Sequence, residues 1–157
     1  MIYTCGDLPL RLKYDGYFEV PRSRFYVFQF LRDPLRFARV LPGFKEVEVI
    51  GVHEFKVYLT LNVGPLRGDV VVVGRLVEVE EPKYIKVVGR GEGVNSTLDF
   101  TLIFAVDEVN TGSRVSWVFE GTVGGLAALM GRRVLDGIAR ILINDIVSCL
   151  REALQSN

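Results

Sequence analysis

The sequence predicts an α+β fold in which a curved antiparallel sheet of about seven strands holds one long C-terminal helix. Residues from Val123 to Leu154 have a very wide apolar face at helical spacing. Most of the chain before them alternates between apolar and polar residues in segments separated by glycine, proline and asparagine turns. A helix this apolar must pack on another element, and a sheet is the only partner that the preceding sequence offers.

The first part of the chain predicts one strand followed by two short helices. Leu10 to Val20 alternates and indicates the first strand. Pro21 to Leu31 has aromatic and aliphatic residues at helical spacing and ends at Asp33-Pro34. Pro34 to Leu41 repeats this spacing until Pro42-Gly43 stops it.

Six more strands are expected before the long helix. Their apolar residues recur at every second position, which places them on one face of the sheet. Glycines at positions 68 and 74 of the inner face indicate bending. The expected strands are Phe44 to Ile50, Phe55 to Val63, Leu66 to Glu80, Tyr84 to Gly91, Ser96 to Val106 and Arg114 to Thr122.

Composition restricts the class of protein. A length of 157 residues suits one domain, residues 1–157, in which residues 1–10 are read as an N-terminal extension. Lysine plus arginine equals aspartate plus glutamate at 19 each, so a nucleic-acid partner is disfavoured. No apolar run approaches the roughly 20 residues that span a bilayer. Asp7 and Arg11 interrupt any signal-peptide core, so a cytoplasmic location is expected.

Cysteine and histidine are too scarce for common metal and triad chemistry. Cys5 and Cys149 are far apart in the sequence and are read as two unrelated thiols, with a disulfide as the alternative. His53 is the only histidine and lies in an expected hairpin turn from Gly51 to Glu54. No metal site, cofactor or catalytic residue is predicted.

The inward apolar residues can be interpreted as a packed core or as the wall of a cavity. Both structures need the same residue types, so periodicity leaves the choice open. The inward stripe comprises Leu59, Leu61, Val70, Val72, Phe100, Leu102, Trp117, Phe119, Leu126, Met130, Val134 and Ile138.

A series of short motifs from about Leu12 to Leu154 resembles the carbon monoxide dehydrogenase G-subunit family. That family belongs to the START-like (Bet v 1-like, polyketide cyclase/SRPBCC) superfamily. The motifs are weak one by one and more specific in their order and spacing. They are Asp15-Gly16, Val20-Pro21, Asp33-Pro34, Leu41-Pro42-Gly43, residues 63–68 (VGPLRG), residues 89–93 (GRGEG), residues 123–127 (VGGLA), Gly131-Arg132-Arg133 and Asp136-Gly137.

The resemblance implies a helix-grip fold with a hydrophobic cavity between the sheet and the C-terminal helix. It implies a non-enzymatic carrier or adaptor for a lipid or quinone-like molecule. It further implies association with a molybdenum-containing carbon monoxide dehydrogenase and peripheral contact with the inner face of the membrane. The inward stripe, together with Leu41, then becomes the candidate ligand-binding set.

Two alternatives stay open beside the carrier. A polyketide cyclase-like enzyme would need acid–base groups in the cavity, but Asp99, Glu120 and Tyr58 are predicted to point outward, leaving Glu92 as a further candidate. A ligand-free interaction module would use the loops at Pro42-Gly43 and at residues 64–66.

Two motifs near the start of the long helix are given structural interpretations. Gly124-Gly125 is read as a joint between strand and helix rather than as an anion-binding helix start. Arg132 and Arg133 are read as solvated arginines, with a lipid headgroup or an acidic partner surface as the alternative.

Overall fold

The structure is a computed structural model that describes residues 9–156. Within this range a seven-stranded antiparallel sheet has the order β1-β7-β6-β5-β4-β3-β2, so that β1 and β2 are its edges and it does not close into a barrel. The strands are β1 Leu10–Val20, β2 Phe44–Val49, β3 Glu54–Val63, β4 Leu66–Glu80, β5 Tyr84–Gly93, β6 Ser96–Val109 and β7 Gly112–Gly125. The predicted fold class is confirmed, and β5, β6 and β7 are longer than predicted.

Two short helices follow β1, as predicted. Ser23 caps helix α1 (Arg24–Arg32) because its hydroxyl oxygen accepts from the Tyr26 amide at 3.2 Å. The carboxylate of Asp33 caps helix α2 (Pro34–Phe37) by accepting from the Leu35 amide at 3.0 Å. A 3₁₀ turn, Ala38–Val40, leads into β2.

The C-terminal segment differs from the prediction of one continuous helix from Val123. β7 continues to Gly125, a single turn forms helix α3 (Leu126–Leu129), and the long helix α4 runs from Arg132 to Gln155. Gly125 and Gly131 have φ of 73° and 85°, a left-handed conformation that interrupts a helix and that glycine adopts without strain. The Ser96 hydroxyl accepts from the Ala127 amide at 2.9 Å and holds α3 against β6.

The buried stripe of α4 is rotated relative to the predicted one. Leu135, Ile138, Leu150 and Leu154 are buried, whereas the predicted stripe ran through Val134 and other positions that are exposed. Of the helix residues predicted to face inward, Leu126 and Val134 are exposed, Met130 is half-buried and Ile138 is buried. Because α4 carries aliphatic residues on several sides, periodicity alone could not select the side that faces the sheet.

The buried core consists of two separate clusters at opposite ends of α4. The first gathers α1, the C-terminal end of β1, the inner face of β5, β6 and β7, and Leu150 and Leu154 of α4. The second gathers Leu12 of β1, Ala127 of α3 and the start of α4. We call these the α1 cluster and the α3 cluster. The helix is therefore held firmly at each end.

Main-chain carbonyls at the end of α4 are satisfied by Arg22. Its Nε donates to the Leu154 carbonyl at 2.9 Å, and Nη2 donates to the Ser156 carbonyl at 3.0 Å. The Ser113 hydroxyl in turn donates to the Arg22 carbonyl at 2.7 Å. These bonds tie the last turn of α4 to the start of α1. None of the helices in residues 9–156 is both long and apolar enough to cross a membrane.

Three glycine-to-alanine substitutions test the break before α4. Gly131→Ala keeps a left-handed φ with nothing within 4 Å of the new methyl group, so we expect a loss of about 1 kcal/mol of unfolding free energy. Gly125→Ala adds a contact of 2.5 Å with the Asn95 carbonyl oxygen and should cost about 1 kcal/mol more. Gly137→Ala, inside α4, should stabilise by about 0.8 kcal/mol.

Urea unfolding of the three variants and the wild type measures these differences. Equal losses for Gly125→Ala and Gly131→Ala would show that the close approach of β7 to residue 95 is unimportant.

Candidate functional site

The inner face of the sheet has a half-buried apolar area between the two clusters. Leu59 and Leu61 of β3, Val70 and Val72 of β4, and Phe119 of β7 belong to neither cluster. Leu59 pairs with Val70 across the ladder, and Val72 pairs with the buried Val57, so these side chains share the inner face. Apolar side chains on the concave side of the sheet are thus left partly uncovered.

Helix α4 lies toward the β1 edge of the sheet. It packs mainly on β1 and on the 3₁₀ turn Ala38–Val40. Asp136 of α4 reaches β1, and residues advance about 100° each around a helix. Val134 and Ile141, on the opposite flank, are both exposed. We call the half-buried inner-face area of Leu59, Leu61, Val70, Val72 and Phe119 the groove.

Aromatic rings on the inner face lie flat against glycines of the neighbouring strand. Phe55 pairs with Gly74, Phe100 with Gly89, and Trp117 with Gly16. A Cβ atom added to these glycines would lie 2.5, 2.5 and 2.8 Å from the respective ring. The rings can lie flat on the sheet only because the glycines opposite them lack a side chain. They cover the sheet without filling the groove.

A stacked aromatic pair forms part of the groove floor. The rings of Phe100 and Phe119 have centroids 5.7 Å apart and an interplanar angle of 18°. Gly121 lies opposite Phe100 in the β6–β7 ladder, which gives this pair room on the other side. A flat apolar surface of this kind suits a planar or chain-like apolar ligand.

The predicted ligand-binding residues divide into four groups in the structure. Ile138 is buried in the α3 cluster, against which Met130 packs. The α1 cluster holds Phe100, Leu102 and Trp117 at its margin. Leu126 and Val134 are exposed. The half-buried residues outside both clusters are Leu41, Leu59, Leu61, Val70, Val72 and Phe119.

Sequence reasoning missed a polar pair that links β1 to α4. The Tyr14 hydroxyl donates to Asp136 Oδ1 at 2.6 Å in a partly buried setting. Burial, followed by this hydrogen bond, raises the pKa of Tyr14 to about 12. The phenol therefore stays protonated near neutral pH and acts as a donor. The alternation of Leu12, Tyr14 and Phe18 could have placed the tyrosine inward, but helical periodicity alone did not place Asp136 beside β1.

The candidate acids of the enzyme alternative lie on the outer face. Arg90 Nη1 donates to Asp99 Oδ2 at 2.9 Å, and Arg90 Nε donates to Glu92 at 2.7 Å. Glu120 forms an ion pair with Lys13 at 3.5 Å. These carboxylates are exposed and engaged with cations, away from the groove. Tyr58 is also on the outer face, where its hydroxyl donates to Glu48 at 2.8 Å.

The remaining candidates for chemistry are scattered. Across residues 9–156, no three histidine, cysteine, aspartate or glutamate side chains gather into a possible metal site. Cys149 is exposed on α4, whereas Cys5 lies outside the described residues, so the reading of two unrelated thiols stays a prediction. His53 is exposed in the β2–β3 turn.

Two open depressions lie away from the groove. One, of about 760 Å³, lies on the outer face of the sheet and is bordered by Arg11, Lys13, Asp99, Glu120 and other residues. The other, of about 330 Å³, lies where α1 meets α2. Both are open to solvent and have mainly polar rims, unlike the apolar inner face.

The curved antiparallel sheet, the two helices after β1 and the long C-terminal helix define a START-like, helix-grip domain. Solved structures share this fold. A START superfamily protein from Mycobacterium smegmatis has a TM-score of 0.68 at 9% identity and covers 92% of this chain and 96% of its own. A conserved protein from Geobacillus kaustophilus has a TM-score of 0.84 at 23% identity, covering 91% and 95%. A protein from Chromobacterium violaceum has a TM-score of 0.70 at 16% sequence identity, and the match covers 92% of this chain and 99% of that protein.

The chain belongs to the carbon monoxide dehydrogenase G-subunit (CoxG) family, whose sequence profile matches residues 16–155. The match begins within β1 and ends at the last residue of α4, so it includes every element that forms the groove. None of the curated proteins matches the chain significantly.

Tyr14→Phe tests the link between β1 and α4. Loss of the hydrogen bond should lower the free energy of unfolding by about 1 kcal/mol at neutral pH. The folded-state pKa of about 12 exceeds the ordinary value of 10.0, so the wild-type advantage is complete below pH 10 and is lost as the pH rises toward 12. Urea unfolding at several pH values between 10 and 12 should show that the difference in unfolding free energy between the wild type and Tyr14→Phe decreases as the pH rises.

Tyr17→Phe is the matched control, because Tyr17 lies on the outer face of the same strand and is exposed. We expect it to leave the unfolding free energy unchanged. A gap for Tyr14→Phe that stays constant up to pH 12 would contradict the assignment.

Proposed function

We propose that this domain binds a hydrophobic small molecule, lipid-like or quinone-like, in the groove between the sheet and α4. It acts as a carrier or adaptor rather than as an enzyme. The observation that carries this proposal is the half-buried apolar area that neither cluster includes. Leu59, Leu61, Val70 and Val72 are only half-buried, although they lie on the inner face of the sheet.

Burial of apolar area would supply the binding free energy. Covering about 300 Å² of a ligand contributes about 7 kcal/mol before the entropy of binding is subtracted. The stacked Phe100 and Phe119 suit a flat ring, and the aliphatic residues of β3 and β4 suit a chain. Tyr14 offers a hydroxyl near one end of the groove, although its proton is engaged by Asp136.

Ligand uptake in this proposal passes between the Leu35 to Gly43 segment and the β3–β4 turn. The segment is anchored where the Thr60 amide donates to the Gly43 carbonyl at 2.8 Å. Beyond that point, Gly64 and Pro65 are exposed and lie in the turn. Loops of this kind can move without breaking the sheet.

Peripheral contact with the inner face of a membrane, from the cytoplasm, is part of the same proposal. Leu126 and Leu129 of α3 are exposed, the latter at 59%. Arg132 and Arg133 follow after Met130 and Gly131, and no carboxylate in residues 9–156 forms an ion pair with either arginine. Exposed leucines beside unpaired arginines suit an anionic lipid surface.

A molybdenum-containing carbon monoxide dehydrogenase is the proposed protein partner. Membership of a family that takes its name from that enzyme supports this choice. A carrier that takes up an apolar molecule at the membrane and presents it to such an enzyme would need both the groove and the apolar α3 surface. The whole chain would serve as one domain.

A fluorescence titration tests the groove. Trp117 is the only tryptophan and lies on the inner face of β7, two residues before Phe119, so a bound quinone should quench its emission. We expect saturable quenching by a short-chain ubiquinone. Val72→Phe fills the floor and should weaken binding by about tenfold, since it removes the space of a methylene or more.

Val73→Phe is the control, because Val73 lies next along β4 on the outer face. It should bind the quinone as the wild type does. Displacement of the quinone by palmitic acid would favour a lipid-like ligand of the same groove. Absence of saturable quenching and of any lipid carried through purification would overturn the proposal.

Vesicle sedimentation tests the membrane contact. Binding to phosphatidylglycerol vesicles should exceed binding to phosphatidylcholine vesicles and decrease with salt. Leu129→Glu should reduce it by about tenfold, because it removes buried apolar area and adds repulsion. Val52→Glu, at the other end of the sheet, is the control and should have no effect. Equal losses for both variants would contradict the assignment to α3.

A further inference from the structure

Strand β4 has an open edge at its C-terminal end. Its ladder with β3 runs from Val63–Leu66 to Glu54–Arg75 and ends there. Pairing with β5 continues to Glu80–Tyr84. The Leu76 amide still donates to the His53 carbonyl at 2.9 Å. Beyond it, residues 77–80 have a strand on one side only within the described part of the chain. We call this edge, with the β2–β3 turn beside it, the notch.

Exposed aliphatic side chains border the notch. They are all valine or isoleucine, which are the residue types that pack well beside a further strand. Val52, at the tip of the turn, is 92% exposed. Isolated exposed aliphatics are common, but five on one strand end and its adjoining turn are not. The set comprises Val49, Ile50, Val52, Val77 and Val79.

The charge of the notch is acidic. Residues 44–56 and 75–83 together contain six carboxylates and four lysines or arginines. Glu54 and Glu80 form no ion pair with any cation in residues 9–156. Glu78 is only loosely paired, with Lys86 Nζ at 3.8 Å. A basic ligand is favoured here, and an anionic membrane is disfavoured.

The same carboxylates argue against a second copy of this chain as the occupant. Two copies joined edge to edge would bring Glu78 and Glu80 of one close to those of the other. Like charges beside each other destabilise such a ladder, which is how natural sheets prevent self-association. A partner that supplies lysine or arginine opposite them would relieve this repulsion.

We propose that the notch binds an extended, basic segment of a partner protein, which adds to β4 as a short strand at residues 77–80. Main-chain hydrogen bonds of the free edge hold the segment, and its alternating aliphatic side chains pack on the exposed valines. The inference is independent of the groove. The notch lies roughly 40 Å along β4 from the end that packs near α3.

Titration with model peptides tests the notch. The probe is a capped peptide of alternating valine and lysine, seven residues long, with a valine–glutamate peptide as its charge control. The valine–lysine peptide should shift the NMR amide signals of residues 49–53 and 76–81 and slow hydrogen exchange at 77–80. The valine–glutamate peptide should leave them unchanged.

Two variants of β4 distinguish peptide binding at the notch from nonspecific association with the protein. Val79→Lys should weaken binding of the valine–lysine peptide by about fivefold or more. Val73→Lys is matched to it, because Val73 is 40% exposed against 37% for Val79 but lies where both strand edges are paired. It should change binding less than twofold.

Three outcomes would overturn the proposal. The first is no perturbation at millimolar valine–lysine peptide, and the second is perturbation equal for both peptides or centred elsewhere on the sheet. The third is a shift of residues 77–80 with protein concentration alone, which would indicate a second copy. Val79→Lys should still show quenching of Trp117 by the quinone. Unchanged quenching would show that the variant affects the notch and not the proposed groove.

Discussion

The pairing of inward aromatic rings with glycines on neighbouring strands is the constraint that shapes the inner face of the sheet. A sheet face that carries Phe55, Phe100 and Trp117 would normally fill the space above it. Here each ring occupies the place of a missing Cβ on the adjacent strand. The inner face stays apolar and well covered, yet its rings project only a short distance from the sheet. Large apolar side chains can therefore lie close to the sheet.

The position of α4 follows from how the rest of the core is divided. Two clusters hold the helix at its ends, and the Tyr14–Asp136 bond draws its first half toward β1. The inner side chains of β5 and β6 pack with α1 and the end of α4, whereas most of those of β3 and β4 are only half-buried.

The strands could be predicted well from the sequence because period-two alternation and turn residues are local signals. The break before α4 could not, since Gly125 and Gly131 reveal a left-handed backbone only in context. The side of α4 that faces the sheet was also beyond the pattern, because Val134 and Ile141 are as apolar as the buried Leu135. The orientation of the inward rings, which lie against glycines of the neighbouring strand, is likewise not encoded in the periodicity.

Overall neutrality conceals a difference between the two ends of the sheet. Equal totals of acidic and basic residues indicate no long-range attraction to polyanions, yet screening limits surface fields to about 8 Å at physiological salt. Local groups then decide the partner. Unpaired Arg132 and Arg133 beside exposed leucines give one end a cationic apolar surface. Glu54 and Glu80 beside exposed valines give the other an acidic one. A domain with opposite ends of opposite charge can contact a lipid surface and a basic protein segment at the same time.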